Sequence, residues 1–261
     1  MARIPIALQL YTVRDELAKD PAGTIKAVAA MGFEGVEANP PKGVSPKDFR
    51  KMVEDAGLVL IGGGVGVNEL LENVDKVAAD CRDMGITHLM TGIAGELRSA
   101  NGDWRAVAEL LKKACIAATE AGLTICYHNH AFEFESKVDG VYGFDYLFDV
   151  VGPEAMAAEI DVYWVHTGGE DPAAYIRKYA GRLPRLHIKD RAPAPHDQEC
   201  PFAEVGHGIL DWDAIFREAE NAGVEWYVVE QDRCTRPPLE SAKMSLEYLR
   251  SRGMLAKPLV L

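Results

Sequence analysis

One joint recurs along this chain and limits what it can fold into. A small or flexible residue, a glycine and then an apolar residue appear in "AMGFEGVEA" at Gly32, "DAGLVLIGG" at Gly57, "DMGITHLMT" at Gly85, "EAGLTICYH" at Gly122 and "NAGVEWYVVE" at Gly223. Each follows an amphipathic stretch and precedes a short apolar run. That order describes a helix closed by a left-handed glycine and followed directly by a buried strand. Repeated helix-to-strand joints require alternating α and β units and therefore a parallel sheet.

Filling in the units gives eight candidate strands, at residues 4–11, 35–39, 59–65, 88–93, 124–130, 156–162, 185–190 and 226–231. The helices between them fall at 15–31, 46–56, 68–84, 103–121, 142–150, 171–180, 211–222 and 239–252. Eight such units in 261 residues match the arithmetic of a single-domain (β/α)8 TIM barrel spanning 1–261. An open doubly wound sheet would want a glycine-rich phosphate turn after the first strand. "LQLYTVRDEL" has none, and "IGGGVG" after strand three lacks the dinucleotide spacing. The Pro-rich "RAPAPHDQECP" at 191–201 reads as a long loop after strand seven.

Charge and cysteine usage narrow the partners. A net charge of −12 with no Lys/Arg-rich run argues against nucleic acid and for a small-molecule ligand. Cys81, Cys115, Cys126, Cys200 and Cys234 are odd in number, widely spaced and without CxxC, which fits a reducing cytoplasm. The N-terminal "MARIPIALQLYTVRD" is too short and too polar for a signal peptide or a membrane span.

In a barrel of this kind chemistry collects at the C-terminal ends of the strands. Strand one ends near Gln9, strand two in Glu37 and Asn39, and strand five in His128, Asn129 and His130. Strand six carries Glu159 and Asp161, strand seven His187, Lys189 and Asp190, and strand eight Glu230 and Asp232. Burying Asp161, His187 and Glu230 in apolar strands is costly without compensation. A divalent cation, Mn²⁺, Mg²⁺, Co²⁺ or Zn²⁺, would supply it, since oxygen donors with one nitrogen suit such ions. Glu37 is a candidate acid/base or a simple ion-pair partner; Lys189 is a candidate catalytic residue or half of a rim ion pair. Trp164 offers an apolar platform for a sugar face, and His166 and His207 lie in loops that would reach substrate.

The segments "GFEGVEAN", "YHNHAFEFE", "EIDVYWVHTGGEDPAAYI", "GRLPRLHIKD", "EVGHGILDWDAI" and "WYVVEQD" together resemble the xylose isomerase-like barrel superfamily. They are most similar to its sugar phosphate isomerase/epimerase branch with inosose dehydratase-like relatives. The resemblance implies a metal held by a Glu, an Asp, a His and a Glu from strands five to eight. Asp161, His187 and Glu230 fall on the last three slots. Strand five departs: His128 stands where the family's Glu would be, and the nearest carboxylate is Glu133. The fourth ligand is either of these, with Glu133 favoured because Phe132 and Phe134 flank it and would aim it inward.

The resemblance further implies proton abstraction next to a carbonyl through a metal-stabilised enediolate. Glu230 would be ligand and base, with His130 or Glu37 as its partner; Gln9, His128 and Asn129 would line the substrate. The expected activity is isomerisation or epimerisation of a sugar or cyclitol, in a protein that pairs as a homodimer. The alternative is a lyase that dehydrates a keto-cyclitol or cleaves a keto-glycoside, because a His-rich wall suits protonation of a leaving oxygen. A DNA-repair endonuclease on this barrel would need further histidines and a basic face. A non-catalytic sugar-binding barrel would hold no stoichiometric metal.

Overall fold

A computed structural model describes residues 3–93, 103–193 and 201–255. Eight parallel strands close into a barrel. They are β1 (Ile6–Gln9), β2 (Gly35–Glu37), β3 (Val59–Gly64), β4 (His88–Thr91), β5 (Thr124–His128), β6 (Met156–Asp161), β7 (Arg185–Ile188) and β8 (Trp226–Val229). Each pairs with its sequence neighbours, and β8 closes on β1 through Ile6 opposite Tyr227 and Leu8 opposite Val229. The glycines of the repeated joint have φ between 72° and 106° (Gly32, Gly57, Gly85, Gly122, Gly223). That is the left-handed conformation a helix C′ position favours.

The described residues hold ten helices: α1 (Arg14–Lys19), α2 (Pro21–Met31), α3 (Pro46–Asp55), α4 (Val67–Met84), α5 (Trp104–Glu120), α6 (Gly143–Val151), α7 (Val162–Thr167), α8 (Pro172–Lys178), α9 (Trp212–Ala222) and α10 (Pro238–Ser251). None is long and apolar enough to cross a membrane. The first helix expected from sequence, 15–31, is two. Asp20 leaves helical geometry (φ −145°, ψ 85°), accepts from the Gly23 amide and starts α2, with Pro21 in its first turn. A proline there lacks only an N–H that a helix start leaves unpaired anyway. Strand one is also shorter than the expected 4–11. Its end turns into a 3-10 segment, Leu10–Val13, in which the Gln9 side chain accepts from the Tyr11 amide. After β6, Asp161 caps α7 through the Tyr163 and Trp164 amides, an extra helix that the expected helix at 171–180 did not include.

Side chains alternate across each strand. Ile160, Leu186 and Ile188 join the large core between barrel and helices, whereas Ala7, Ile61 and Val228 form a small separate cluster. Above that small cluster the residues alternating with the outer core are charged: Glu159 and Asp161 on β6, Arg185 and His187 on β7. The Arg185 guanidinium fits because β3 carries glycine opposite it. A Cβ on Gly62 would lie within 2.7 Å of three guanidinium atoms. The loop 191–201 begins as expected after β7, but residues 194–200 lie outside the described set.

Candidate metal centre and cleft

Arg185 anchors the polar column. It donates to Glu37 Oε1, to Glu159 Oε2 at 3.3 Å and to the Ile61 carbonyl, and is 2% exposed. The two carboxylates continue upward to one ring nitrogen: His187 Nε2 lies 2.8 Å from Glu159 Oε1 and 3.0 Å from Glu37 Oε2. On its other side, His187 Nδ1 lies 3.0 Å from Glu230 Oε2. Burial opposes charge on this imidazole, but three carboxylate contacts overcome it and hold its pKa well above the usual histidine value. Burial likewise pushes against ionisation of Glu37, yet Arg185 and His187 bring it down to about 2. Glu159 keeps a raised pKa from burial and from the Glu37 charge beside it.

At the mouth of the barrel, His128, Asp161, His187 and Glu230 offer one ligand atom each, all within 4.8 Å of one another. All four side chains are buried. His128 Nε2 is 3.3 Å from Asp161 Oδ2, and the His128 and His187 rings meet edge to face at 4.4 Å. Asp161 spends Oδ1 on the amides of α7, which leaves Oδ2 aimed at the group and without a hydrogen bond of good geometry. Two carboxylates and two imidazoles, desolvated and convergent, are a donor set for a divalent first-row cation, provided His187 gives up its proton as the ion binds. These residues therefore fit the ion that the sequence leads one to expect. A second set that could hold an ion, Glu37, Glu159 and His187, shares the imidazole, but Arg185 already neutralises it.

Glu133 takes no place in this group. Its Oε1 accepts from the Tyr127 hydroxyl at 3.0 Å and its Oε2 from the His130 amide at 2.9 Å. Burial pushes its carboxyl up to about 7 against the pull of those hydrogen bonds. Glu133 sits buried in the 3-10 segment Phe132–Phe134 with both oxygens taken, so the strand-five member of the group is His128. Asn129 is likewise committed to structure: its amide exchanges hydrogen bonds with the Asp161 backbone, 2.9 Å to Oδ1 and 3.3 Å from Nδ2.

A cavity of about 560 Å³ reaches the group at His128 and Glu230 and is lined also by Gln9, Asn39, Thr91 and His130. His130 is nearly buried, stacks on His128 at 5.4 Å and has an Nδ1 without a partner among the described residues. Burial, with His128 and Lys189 beside it, brings its pKa down to about 3, so the ring is neutral at ordinary pH. Glu37 is not a cavity residue; it lies fully buried beneath Gln9, whose Nε2 donates to it at 3.0 Å. Trp164 sits behind His130 with ring centroids 5.5 Å apart. His166 lines a different groove beside Asp171 and Ile209, and His207 is exposed on the loop after β7.

Lys189 is fully buried among carboxylates, 3.0 Å from Asp161 Oδ2, 3.0 Å from Glu230 Oε2 and 2.7 Å from Asp232 Oδ2. Burial disfavours its charge, but these three acids hold its pKa well above normal. Burial also works against Glu230, and Lys189 with His187 keeps it ionised. Its neighbour Asp190 has a different role. Its carboxylate accepts from the amides of Arg191, Gly206, Gly208 and Leu210 and from the Trp212 indole, at 2.7–3.3 Å. It organises the loop and does not face substrate.

Reading strand ends alone passed over Arg185. The signal was present one turn of the pleat earlier, since Arg185, His187 and Lys189 alternate with Leu186 and Ile188 and so share the inner face.

With this arrangement in view, comparison with known proteins places the fold. A profile of the xylose isomerase-like TIM barrel family matches residues 25–252. The chain belongs to that family. Among xylose isomerase-like structures, one described as a sugar phosphate isomerase/epimerase from Parabacteroides distasonis is 26% identical. It superposes with a TM-score of 0.82, covering 97% of this chain and 100% of that one. The IOLI protein, crystallised with a bound zinc atom, shares the xylose isomerase-like fold at 13% identity and a TM-score of 0.74, over 95% of this chain and 99% of that one. An inosose dehydratase of Clostridium perfringens is 25% identical over 169 residues, 59% of this chain and 56% of that protein. The chain thus spans about half the length of the curated relatives it matches.

Proposed function

We propose that this protein is a divalent-metal-dependent enzyme that removes the proton next to a carbonyl of a sugar or cyclitol, and that its outcome is dehydration. The observation that carries the reading is the convergence of His128, Asp161, His187 and Glu230, of which His128 and Glu230 line the cavity. A bound ion would supply Lewis-acid stabilisation of the negative charge that builds on oxygen as the C–H bond breaks.

The chain's own groups then divide the remaining work. Glu230 is held ionised by Lys189 and His187, which favours ligation. His130 stands on the cavity wall as a neutral ring and is the group assigned to accept the substrate proton; its low pKa makes it a weak base by itself, so the transfer depends on the acidity that a bound ion would give the C–H. The imidazolium so formed can return that proton to a departing hydroxyl on the same side of the ring. Epimerisation needs an acid/base group on each face, and Glu133 and Glu37, the carboxylates that could have supplied the second, are turned to Tyr127 and Arg185. The similarity to inosose dehydratases supports the same preference. Isomerisation between adjacent carbons by the single group His130 is the second reading, supported by the Parabacteroides neighbour.

The test incubates metal-loaded protein with inosose and with a panel of keto-sugars. An unsaturated diketone absorbing in the ultraviolet supports the lyase; an isomer without that absorbance replaces it with the second reading. His130→Gln should lower turnover by about 100-fold or more while metal content stays at wild-type level. Full solvent-deuterium exchange into substrate by this variant would exclude His130 as the proton acceptor.

A further inference from the structure

Lys189 brings a positive charge to the oxygens that a divalent ion would need. Its ammonium contacts Asp161 Oδ2 and Glu230 Oε2, both at 3.0 Å, and both residues belong to the convergent four. Its third contact, Asp232 Oδ2 at 2.7 Å, belongs to a residue outside that set whose side chain is 27% exposed. The rings of Trp164 and Phe202 lie 5.5 and 5.7 Å from Nζ and close the other side of the cation. An ammonium is a compact charge that satisfies carboxylates without fixed geometry. In a buried site it repels a second cation with little screening.

We propose that Lys189 is a built-in competitor for the divalent ion. It neutralises Asp161 and Glu230 in the ion-free chain, adding a fixed positive charge to the histidine contacts those buried carboxylates already make, and it keeps only its Asp232 partner when an ion takes those oxygens. Lys189 and Asp232 thereby set the affinity of the site, which becomes exchangeable rather than permanently filled. The inference rests on the reading of the four-residue group as a metal site.

The experiment measures Mn²⁺ binding by titration calorimetry, checked by the electron paramagnetic resonance signal of free Mn²⁺, on the ion-free full chain. Lys189→Met should bind Mn²⁺ about 10-fold tighter than wild type or more, because a competing charge is gone. Asp232→Asn should bind several-fold weaker, because the ammonium has lost its alternative partner, and this weakening should largely vanish in the Lys189→Met background. If Lys189→Met does not fold without metal, the double variant, which loses one charge of each sign, is compared with Asp232→Asn alone and should be tighter by more than about 10-fold, since it gains the Lys189→Met tightening and escapes the Asp232→Asn weakening. Wild-type binding with no tightening in the Lys189 variants overturns the competitor and leaves the metal site standing. Equal weakening by Asp232→Asn in both backgrounds also overturns it, since a long-range charge effect would suffice. No Mn²⁺ binding by any variant removes both the competitor and the metal site.

Discussion

Glu133 and Arg185 show how a single residue's partners decide its use. The Glu133 carboxyl is fully buried, and its folded pKa of about 7 lies well above the usual carboxylate range. A raised carboxyl pKa stabilises the fold most below the unfolded value, and that contribution is lost as pH climbs to the folded one. Glu133→Gln should therefore lose stability less steeply than wild type as pH rises from 4.5 to about 7, read as a shrinking difference in melting temperature between the two across that window. Parallel curves would refute the raised pKa. Arg185 is the opposite case, a charge whose partners are buried with it. Arg185→Met leaves Glu37 and Glu159 facing each other and should cost about 3–5 kcal/mol in urea unfolding near neutral pH. A cost below about 1 kcal/mol would mean that the carboxylates relax by protonation, as the raised pKa of Glu159 already allows.

At the scale of elements, the site depends on two irregularities. The β2–β3 register shifts between Val36 and Glu37, a bulge of the kind that re-aims side chains beside active sites. Beyond it Asn39 exchanges hydrogen bonds with the Gly64 backbone at 2.9 and 3.0 Å and reaches the cavity wall. The second is the loop after β7, gathered on Asp190. Gly208 has no room for a side chain there: a Cβ would fall 2.2 Å from both the Arg191 carbonyl and Asp190 Oδ1. Asp190→Ala removes the acceptor of four amides and an indole and should destabilise the protein by about 3 kcal/mol or more. It should also open residues 201–210 to limited proteolysis. An unchanged cleavage pattern would show that the loop holds its shape without the carboxylate.

For the whole molecule, folding brings His128, Asp161, His187 and Glu230 together, and an ion there would bind the folded chain in preference to the unfolded one. Mn²⁺ or Zn²⁺ at about 100 times its Kd should add about 2.7 kcal/mol of stability, a rise of roughly 5–10 °C in melting temperature for a chain of this size. A chelator should reverse the rise. Asp161→Asn should abolish it while keeping most of the ion-free stability, because the amide still caps α7. The same rise in Asp161→Asn would place the ion elsewhere.

The barrel itself was legible because its signals are local. A helix that ends in a left-handed glycine and a strand that alternates polar and apolar residues are set by neighbours a few residues away. Asp161, His187 and Glu230 were legible for the same reason, as costly groups at the ends of apolar strands. Tertiary structure alone decided how the remaining groups divide. Phe132 and Phe134 gave reason to aim Glu133 inward, but Tyr127 and the turn after β5 took its oxygens and left the place to His128. Glu37 meets Arg185, 148 positions away, and so became a support beneath His187 instead of an acid/base in the cavity. Contacts of that span depend on how the barrel closes, and closure is a property of all eight strands together.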